Sequence, residues 1–245
     1  MTKRVAFIIL LCTTALLVGF SSTTCALTAE LPNGYEVTAQ LSGLHTADKF
    51  RSHKKEAPPA VLWLKPTEEH VPPPEPRGNY TLLQKNKTFT PHLLVVPVGS
   101  TVMFPNADPF FHNVFSLFDG KRFDLGLYEA GTSKAVLFSR EGVSYIFCNI
   151  HSGMSAVVIA MATPYYAIAD VNGVFHIHDV PSGKYEMHVW IEGQRQPELD
   201  QLTKLVRISA DSRDLGKITI DDQQGVHTHL NKFGQPYDRD AKPDY

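Results

Sequence analysis

The sequence predicts an all-β chain folded as β-sandwiches, and three observations predict it. Val, Thr and Phe recur in short runs that alternate with polar residues, as half-buried strands require. Pro and Gly, 17 and 16 of the 245 residues, punctuate those runs often enough to place turns between them. No helical period is sustained beyond the extreme N-terminus. With 43% hydrophobic and 20% charged residues, the composition is that of an ordinary globular protein with a sizeable core. The length suffices for one large domain or two small ones.

The first element is a targeting segment. Lys3 and Arg4 supply positive charge, and an apolar stretch runs from Val5 to Phe20. Small and polar residues then lead to Thr24-Cys25-Ala26. Residues 1–26 read as an export signal peptide cleaved after Ala26. The apolar stretch is short for a spanning helix, so membrane attachment is expected only if the segment stays uncleaved. Ser22-Thr23-Thr24 is a poor lipid-attachment context for Cys25. The expected location is therefore periplasmic or secreted. Cleavage would remove two positive charges and leave 21 Lys+Arg against 25 Asp+Glu, a balance of −4. With no basic tract, nucleic acid is not an expected partner. Cleavage would also remove Cys12 and Cys25 and leave Cys148 alone. A single thiol in an exported protein is a liability unless it is buried, paired with another chain or bound to a metal.

The mature chain divides by composition. In the N-terminal part, 27–66, the alternation over 34–44 and the apolar run 60–65 predict two strands, with a charged loop over 48–56 between them. Residues 67–79 are rich in Pro, stiff and extended, and form a natural linker. A second part, 80–163, holds two apolar runs joined at Val98-Gly99-Ser100, a strand over 111–118, one over 134–138, one ending at Cys148 and one over 156–162. This regular succession of short strands is what a sandwich shows. In the third part, 164–220, Asn172-Gly173 and Pro181-Ser182-Gly183 mark turns, Phe175 and Ile177 share a face, and strands are expected over 205–210 and 217–220. Residues 221–245 form a polar, mobile tail.

The chemistry concentrates in Phe147-Cys148-Asn149-Ile150-His151-Ser152-Gly153-Met154, where Cys, His and Met follow at steps of three. A thiolate is a soft, strongly donating ligand, a thioether is soft and weak, and imidazole serves both oxidation states of copper. Two imidazoles and a thiolate in a near-trigonal set with a long axial thioether define a blue-copper site. Three of these ligands, Cys148, His151 and Met154, sit on one seven-residue loop, so the fourth must come from a neighbouring strand. His112, 36 residues before Cys148, is the candidate. Taken singly, Cys148 and Met154 are ordinary core residues; it is the joint set that points to one copper ion. Zinc rarely selects methionine, and the C-x-x-C-H of haem attachment is absent.

Over residues 90–162 the sequence resembles the plastocyanin/amicyanin family of cupredoxins. Val98-Gly99-Ser100-Thr101-Val102-Met103-Phe104-Pro105-Asn106 resembles the family's approach to the first ligand. His112-Asn113-Val114 resembles that ligand with its following asparagine, and Gly142–Cys148 the strand entering the thiolate. The two-residue gap between His151 and Met154 is similar to amicyanin and shorter than the four-residue gap of plastocyanin. The resemblance implies a Greek-key β-sandwich, a type 1 copper and Asn113 as a brace behind the cysteine loop. It also implies one-electron exchange with redox partner proteins and no enzymatic reaction, with His151 at the loop tip as the electron port. A copper-delivery protein without redox turnover, and a structural or carbohydrate-binding sandwich without metal, are the alternatives.

A second resemblance covers 165–191. Asp170-Val171-Asn172-Gly173-Val174-Phe175 and Val180-Pro181-Ser182-Gly183-Lys184-Tyr185 resemble the transthyretin-like, carboxypeptidase-regulatory β-sandwich. It implies a small accessory sandwich, whose missing first half the strands at 34–44 and 60–65 could supply. The copper domain would then be inserted in it, with a tandem arrangement as the alternative. His176 and His178 share one face of a strand, and His227 and His229 sit in the tail; a solvent face and a loose tail are the expected readings rather than a second copper centre. Enzymes of that kind place a histidine next to the copper cysteine, whereas Cys148 is flanked by Phe147 and Asn149. His188 and Trp190 read as packing.

Overall fold

The computed structural model of the chain describes residues 34–43, 57–68, 74–76, 78–117, 120–220 and 231–235. The expected signal peptide, the charged loop over 48–56, residues 69–73 and 77 of the Pro-rich linker, and His227 and His229 lie outside the described residues. The first strands are β1 (Tyr35–Ser42) and β2 (Ala60–Pro66). Then come β3 (Tyr80–Thr81), β4 (Leu83–Lys85), β5 (Thr88–Thr90), β6 (Leu93–Pro97), β7 (Ser100–Pro105) and β8 (His112–Ser116). They are followed by β9 (Phe123–Tyr128), β10 (Ser133–Phe138), β11 (Gly142–Phe147) and β12 (Ser155–Met161). The series ends with β13 (Tyr166–Ile168), β14 (Val174–Val180), β15 (Gly183–Ile191), a short helix α1 (Gln196–Gln201), β16 (Lys204–Ile208) and β17 (Asp214–Thr219). The described chain is all-β apart from that helix.

Strands β3 to β12 make one sandwich. Its sheets run β10-β7-β3 and β6-β12-β11-β8-β9, with β4 and β5 as a separate hairpin. The turn at Val98-Gly99 sends the chain from one sheet to the other, because β6 pairs with β12 and β7 with β10. Val102, Phe104, Val136 and Phe138 meet Val114, Ile146, Ala156, Val158 and Ala160 in its core. The remaining strands form two more sheets, β14-β1-β17 and β13-β2-β15-β16. Here β1 pairs with β14 and β17, and β2 with β13 and β15. The strands before the β3–β12 sandwich thus pair with strands that follow it. At the turn before β14, Gly173 takes φ +79°, where its lack of a Cβ is needed. Phe175 and Ile177 are buried as expected, and His176 and His178 are exposed.

β12 is buried on both faces. Ala156, Val158 and Ala160 enter the core shared with Cys148 and Met154. Val157, Ile159 and Met161 enter the other core, with Leu62, Trp190 and Phe175. Strand alternation therefore puts one strand into two cores. The contact between the sandwiches also has polar ties. Trp190 Nε1 donates to the Tyr145 hydroxyl at 3.0 Å, and Lys65 pairs with Glu141 at 3.0 Å.

Three local expectations change. The strand expected over 111–118 is the shorter β8. Between the strands expected over 111–118 and 134–138 lies β9, for which no strand is expected, an edge strand with Gly126 at φ +65° in its middle and most of its residues partly exposed. The region before β16 contains α1, at whose start the Glu198 carboxylate accepts the Arg195 backbone N–H at 2.9 Å and its guanidinium Nε–H at 2.7 Å.

Candidate metal centre

The centre begins with a hairpin. β11 and β12 pair from Gly142↔Ala160 to Phe147↔Ser155, so residues 148–154 are the connecting loop. Cys148 N–H donates to Met154 O and Met154 N–H to His151 O, both at 3.1 Å, which closes the loop on itself. β8 lies antiparallel to β11 with Phe115 opposite Phe147. His112, three residues before Phe115, is thereby carried past the end of β11 to the loop. A separation of 36 residues in sequence becomes contact through one strand register.

His112, Cys148 and His151 come together, with one donor atom from each within 4.8 Å of the others. Cys148 Sγ lies 3.6 Å from His112 Nδ1 and 3.5 Å from His151 Nδ1. A metal bonded to sulfur at about 2.3 Å and nitrogen at about 2.0 Å, with angles of 109–120°, separates those donors by about 3.5–3.7 Å. Both sulfur–nitrogen separations therefore match those around a single ion. Met154 is buried in the same core cluster as Cys148. A thiolate, two imidazoles and a nearby thioether form a donor set whose softness suits copper.

Electrostatics prepare each donor. Burial pushes the Cys148 thiol up, while the backbone N–H groups of Asn113, Ile150 and His151 pull it back towards the thiolate. Burial lowers His151 to about 4, helped by the nearby His112 and Lys87, so its imidazole is neutral at pH 7. His112 is fully buried, and its Nε2 lies 2.8 Å from Asp108 Oδ2. A carboxylate can only accept there, so Nε2 carries the proton and Nδ1 presents its lone pair to the site. Burial tends to raise Asp108, but N–H donation from Lys87, the His112 ring and Asn86 outweighs it and holds the carboxyl low.

Asp108 has its own scaffold. The turn between β4 and β5 aims the N–H groups of Asn86 and Lys87 at its two oxygens, at 2.6 and 3.0 Å. Asn106 Oδ1 accepts the Asp108 N–H at 3.0 Å, and Asn106 Nδ2 donates to Phe110 O at 2.8 Å. This fixed bend also sets Phe110 beside both imidazoles, with ring centroids 5.3 Å from His112 and 5.6 Å from His151. His151 Nε2 is shut off from solvent and has no hydrogen-bond partner among the described residues. The loop tip that faces water is Ser152-Gly153.

Asn113 lies behind the cysteine loop and reaches two partners. Its backbone N–H meets the Cys148 sulfur, and its side-chain amide donates to Asp124 Oδ1 at 2.7 Å rather than to the cysteine loop. The pairing of β8 with β9 shifts register between Asn113 and Phe115, and Asp124 stands opposite Phe115. Sequence reasoning gave no role to Asp108, Asp124 or Lys232. The signal for Asp108 was present in the spacing Asn106-x-Asp108-x-x-x-His112-Asn113; nothing local pointed to Lys232. His176 sits away from this cluster, with its Nδ1 2.8 Å from Glu36 on an exposed face. His188 stacks on Trp63 at 5.4 Å and 14°, which is packing.

No protein-family model matches the sequence, and no curated protein matches it. Among solved structures the chain is similar to cupredoxins. A purple cupredoxin from Nitrosopumilus maritimus matches at 25% identity and TM-score 0.32, over 34% of this chain and 100% of that one. A mutant amicyanin matches at 20% identity and TM-score 0.32, over 34% of this chain and 83% of that one. A copper-containing nitrite reductase from Thermus scotoductus SA-01 matches at 23% identity and TM-score 0.34, over 40% of this chain but only 26% of the reductase.

Proposed function

We propose that the chain is an exported type 1 copper protein that passes single electrons between redox partner proteins and performs no substrate chemistry. The observation that carries this reading is the convergence of Cys148 Sγ and two imidazole Nδ1 atoms in a buried pocket at one end of a sandwich. Cys148, His112 and His151 would hold the ion, and Met154 would be the weak axial ligand. Copper bound there supplies a one-electron couple between Cu(I) and Cu(II).

The chain's own residues supply the frame. The Met154–Cys148 and His151–Met154 backbone bonds keep the loop closed. Asp108 fixes the His112 tautomer and ring, and Phe110 covers both imidazoles against water. A frame with so few free torsions limits the movement of ligands when charge changes, which is what fast electron exchange requires. The electron is expected to leave through His151 and the Phe110 ring beside it. Cys148 is followed by Asn149 and not by a histidine, which favours a carrier over an enzyme with a second, catalytic copper. The charged N-terminus, apolar stretch and small-residue cleavage site support export to a periplasm or the cell exterior.

The test is the visible spectrum of the protein after addition of Cu(II), beside Cys148→Ser. The expected result is an intense thiolate-to-copper band, bleached reversibly by a mild reductant and missing in the variant. A colourless protein indistinguishable from Cys148→Ser would overturn the reading.

A further inference from the structure

The residues expected as a mobile tail include a built piece of structure. Asn231 Oδ1 accepts the N–H groups of Phe233 at 2.9 Å and Gln235 at 3.0 Å. Asn231 N–H donates to Gln235 O at 2.8 Å, and Gly234 N–H to Asn231 O at 2.9 Å. Gly234 takes φ +74°, which closes the turn. Five residues thus hold their own shape before they touch anything else.

What the turn touches is the periphery of the metal centre, at two points. Lys232 N–H donates to Asn149 Oδ1 at 2.9 Å, and the Lys232 ammonium donates to Asp124 Oδ2 at 2.8 Å. Asn149 is the neighbour of Cys148 in the ligand loop. Asp124, through its other oxygen, holds the side chain of Asn113, the neighbour of His112, at 2.7 Å. The path Cys148-Asn149, Lys232, Asp124, Asn113-His112 is therefore continuous. It joins the two chain segments that supply ligands by a route outside the pocket. These contacts span 83 and 108 residues of sequence, so nothing in local chain stiffness requires them.

We propose that Lys232 is a positioning residue and that Asn231–Gln235 is a strap that holds the ligand loop against the strand carrying His112. The proposal rests on the reading that a metal binds His112, Cys148 and His151. The ammonium–carboxylate contact is charge-assisted and only partly exposed, with 25% of the Lys232 side chain and 39% of the Asp124 side chain accessible. Moving Asn149 away from β9, as the release of an ion from between Cys148 and His112 demands, breaks it. The strap thus acts on how fast the loop opens, and so on how long an ion stays.

The test compares the full chain with Lys232→Met, which keeps the stem and loses the charge. Asp124→Asn, which keeps an acceptor for Asn113, and the double variant complete the set. In metal-free protein, amide hydrogen exchange at residues 148–154 is expected to rise about tenfold in Lys232→Met, as loss of one charge-assisted hydrogen bond permits. In copper-loaded protein, transfer of copper to a strong chelator is expected to quicken roughly tenfold or more, with the thiolate-to-copper band present at the start. The double variant is expected to match the worse single variant, because both act on one contact. Unchanged loop exchange in Lys232→Met, or effects that simply add in the double variant, would overturn the strap. A parent protein with no copper band would overturn the metal reading instead, and loop exchange in the metal-free protein would still decide the strap.

Discussion

Asp108 Oδ2 lies 2.8 Å from His112 Nε2, and that contact decides which nitrogen of the ring is free to bind a metal. The pair sits at the meeting of three segments. The β4–β5 turn grips the carboxylate, the Asn106 bend orients it, and β8 delivers the imidazole.

Replacing Asp108 by Asn keeps the size of the side chain and removes its charge. Copper affinity is expected to fall by roughly 10- to 100-fold, the usual cost of losing a carboxylate behind a metal-bound imidazole. Competition against a chelator of known affinity measures it. An affinity equal to that of the parent would reduce Asp108 to an anchor for the β4–β5 turn.

His151 sets the acid limit of the centre. Its folded value of about 4 lies below the ordinary 6.5. Protons therefore compete poorly for its Nδ1 until the pH approaches 4. The copper band is expected to hold its intensity from pH 7 to pH 5 and to fade only below that. A titration midpoint near the ordinary histidine value would contradict the buried, neutral ring. For the metal-free protein the sign is the same. The depressed value gives stability that is full above 6.5 and is lost as the pH falls towards 4, because the unfolded chain takes up the proton first.

His92 and Glu192 work in the opposite direction. Glu192 Oε1 lies 2.5 Å from His92 Nε2, and Ser155 O lies 3.2 Å from His92 Nδ1. Both partners are acceptors, so the surroundings favour the imidazolium, which can donate from both nitrogens. The Glu192 hydrogen bond raises the folded pKa of His92 above 6.5. Its contribution is full below pH 6.5 and is lost as the pH rises through the raised value. The side chains are 42% and 37% exposed, so solvent screening keeps the contribution within about 1 kcal/mol. Thermal unfolding of Glu192→Gln and the parent is expected to differ at pH 6 and to converge at pH 9. A constant difference would mean that the pair acts without charge.

Much of the fold could be read from the sequence because strands with one buried face write their period into it. β1, β7, β11 and β14 alternate, β2 shows as an unbroken apolar run buried on both faces, and the turns at Val98-Gly99 and Asn172-Gly173 carry glycine where the chain reverses. β9 escaped notice because an edge strand buries little and Gly126 interrupts it. α1 escaped because six residues are too few to show a helical period. The three close donors were legible for a similar reason. Cys148 and His151 share a loop with Met154, so their spacing is visible, and His112 precedes a recognisable Asn113. Asp124 and Lys232 were not legible. Asp124 is only 11 residues from Asn113, but the register that brings the two together is not written in the spacing, and the role of Lys232 comes from a contact 108 residues long.

β12 has a consequence for how the molecule can come apart. Val157, Ile159 and Met161 point into one core and Ala156, Val158 and Ala160 into the other. Strands β3 to β12 are therefore not a detachable cartridge. Cutting them out would wet the outer face of β6, β11 and β12, and losing the flanking strands would do the same. Heat should melt both sandwiches in a single step, and the pocket should lose its shape with them. The small pocket at one end draws its rigidity from a foundation that reaches the far side of the chain.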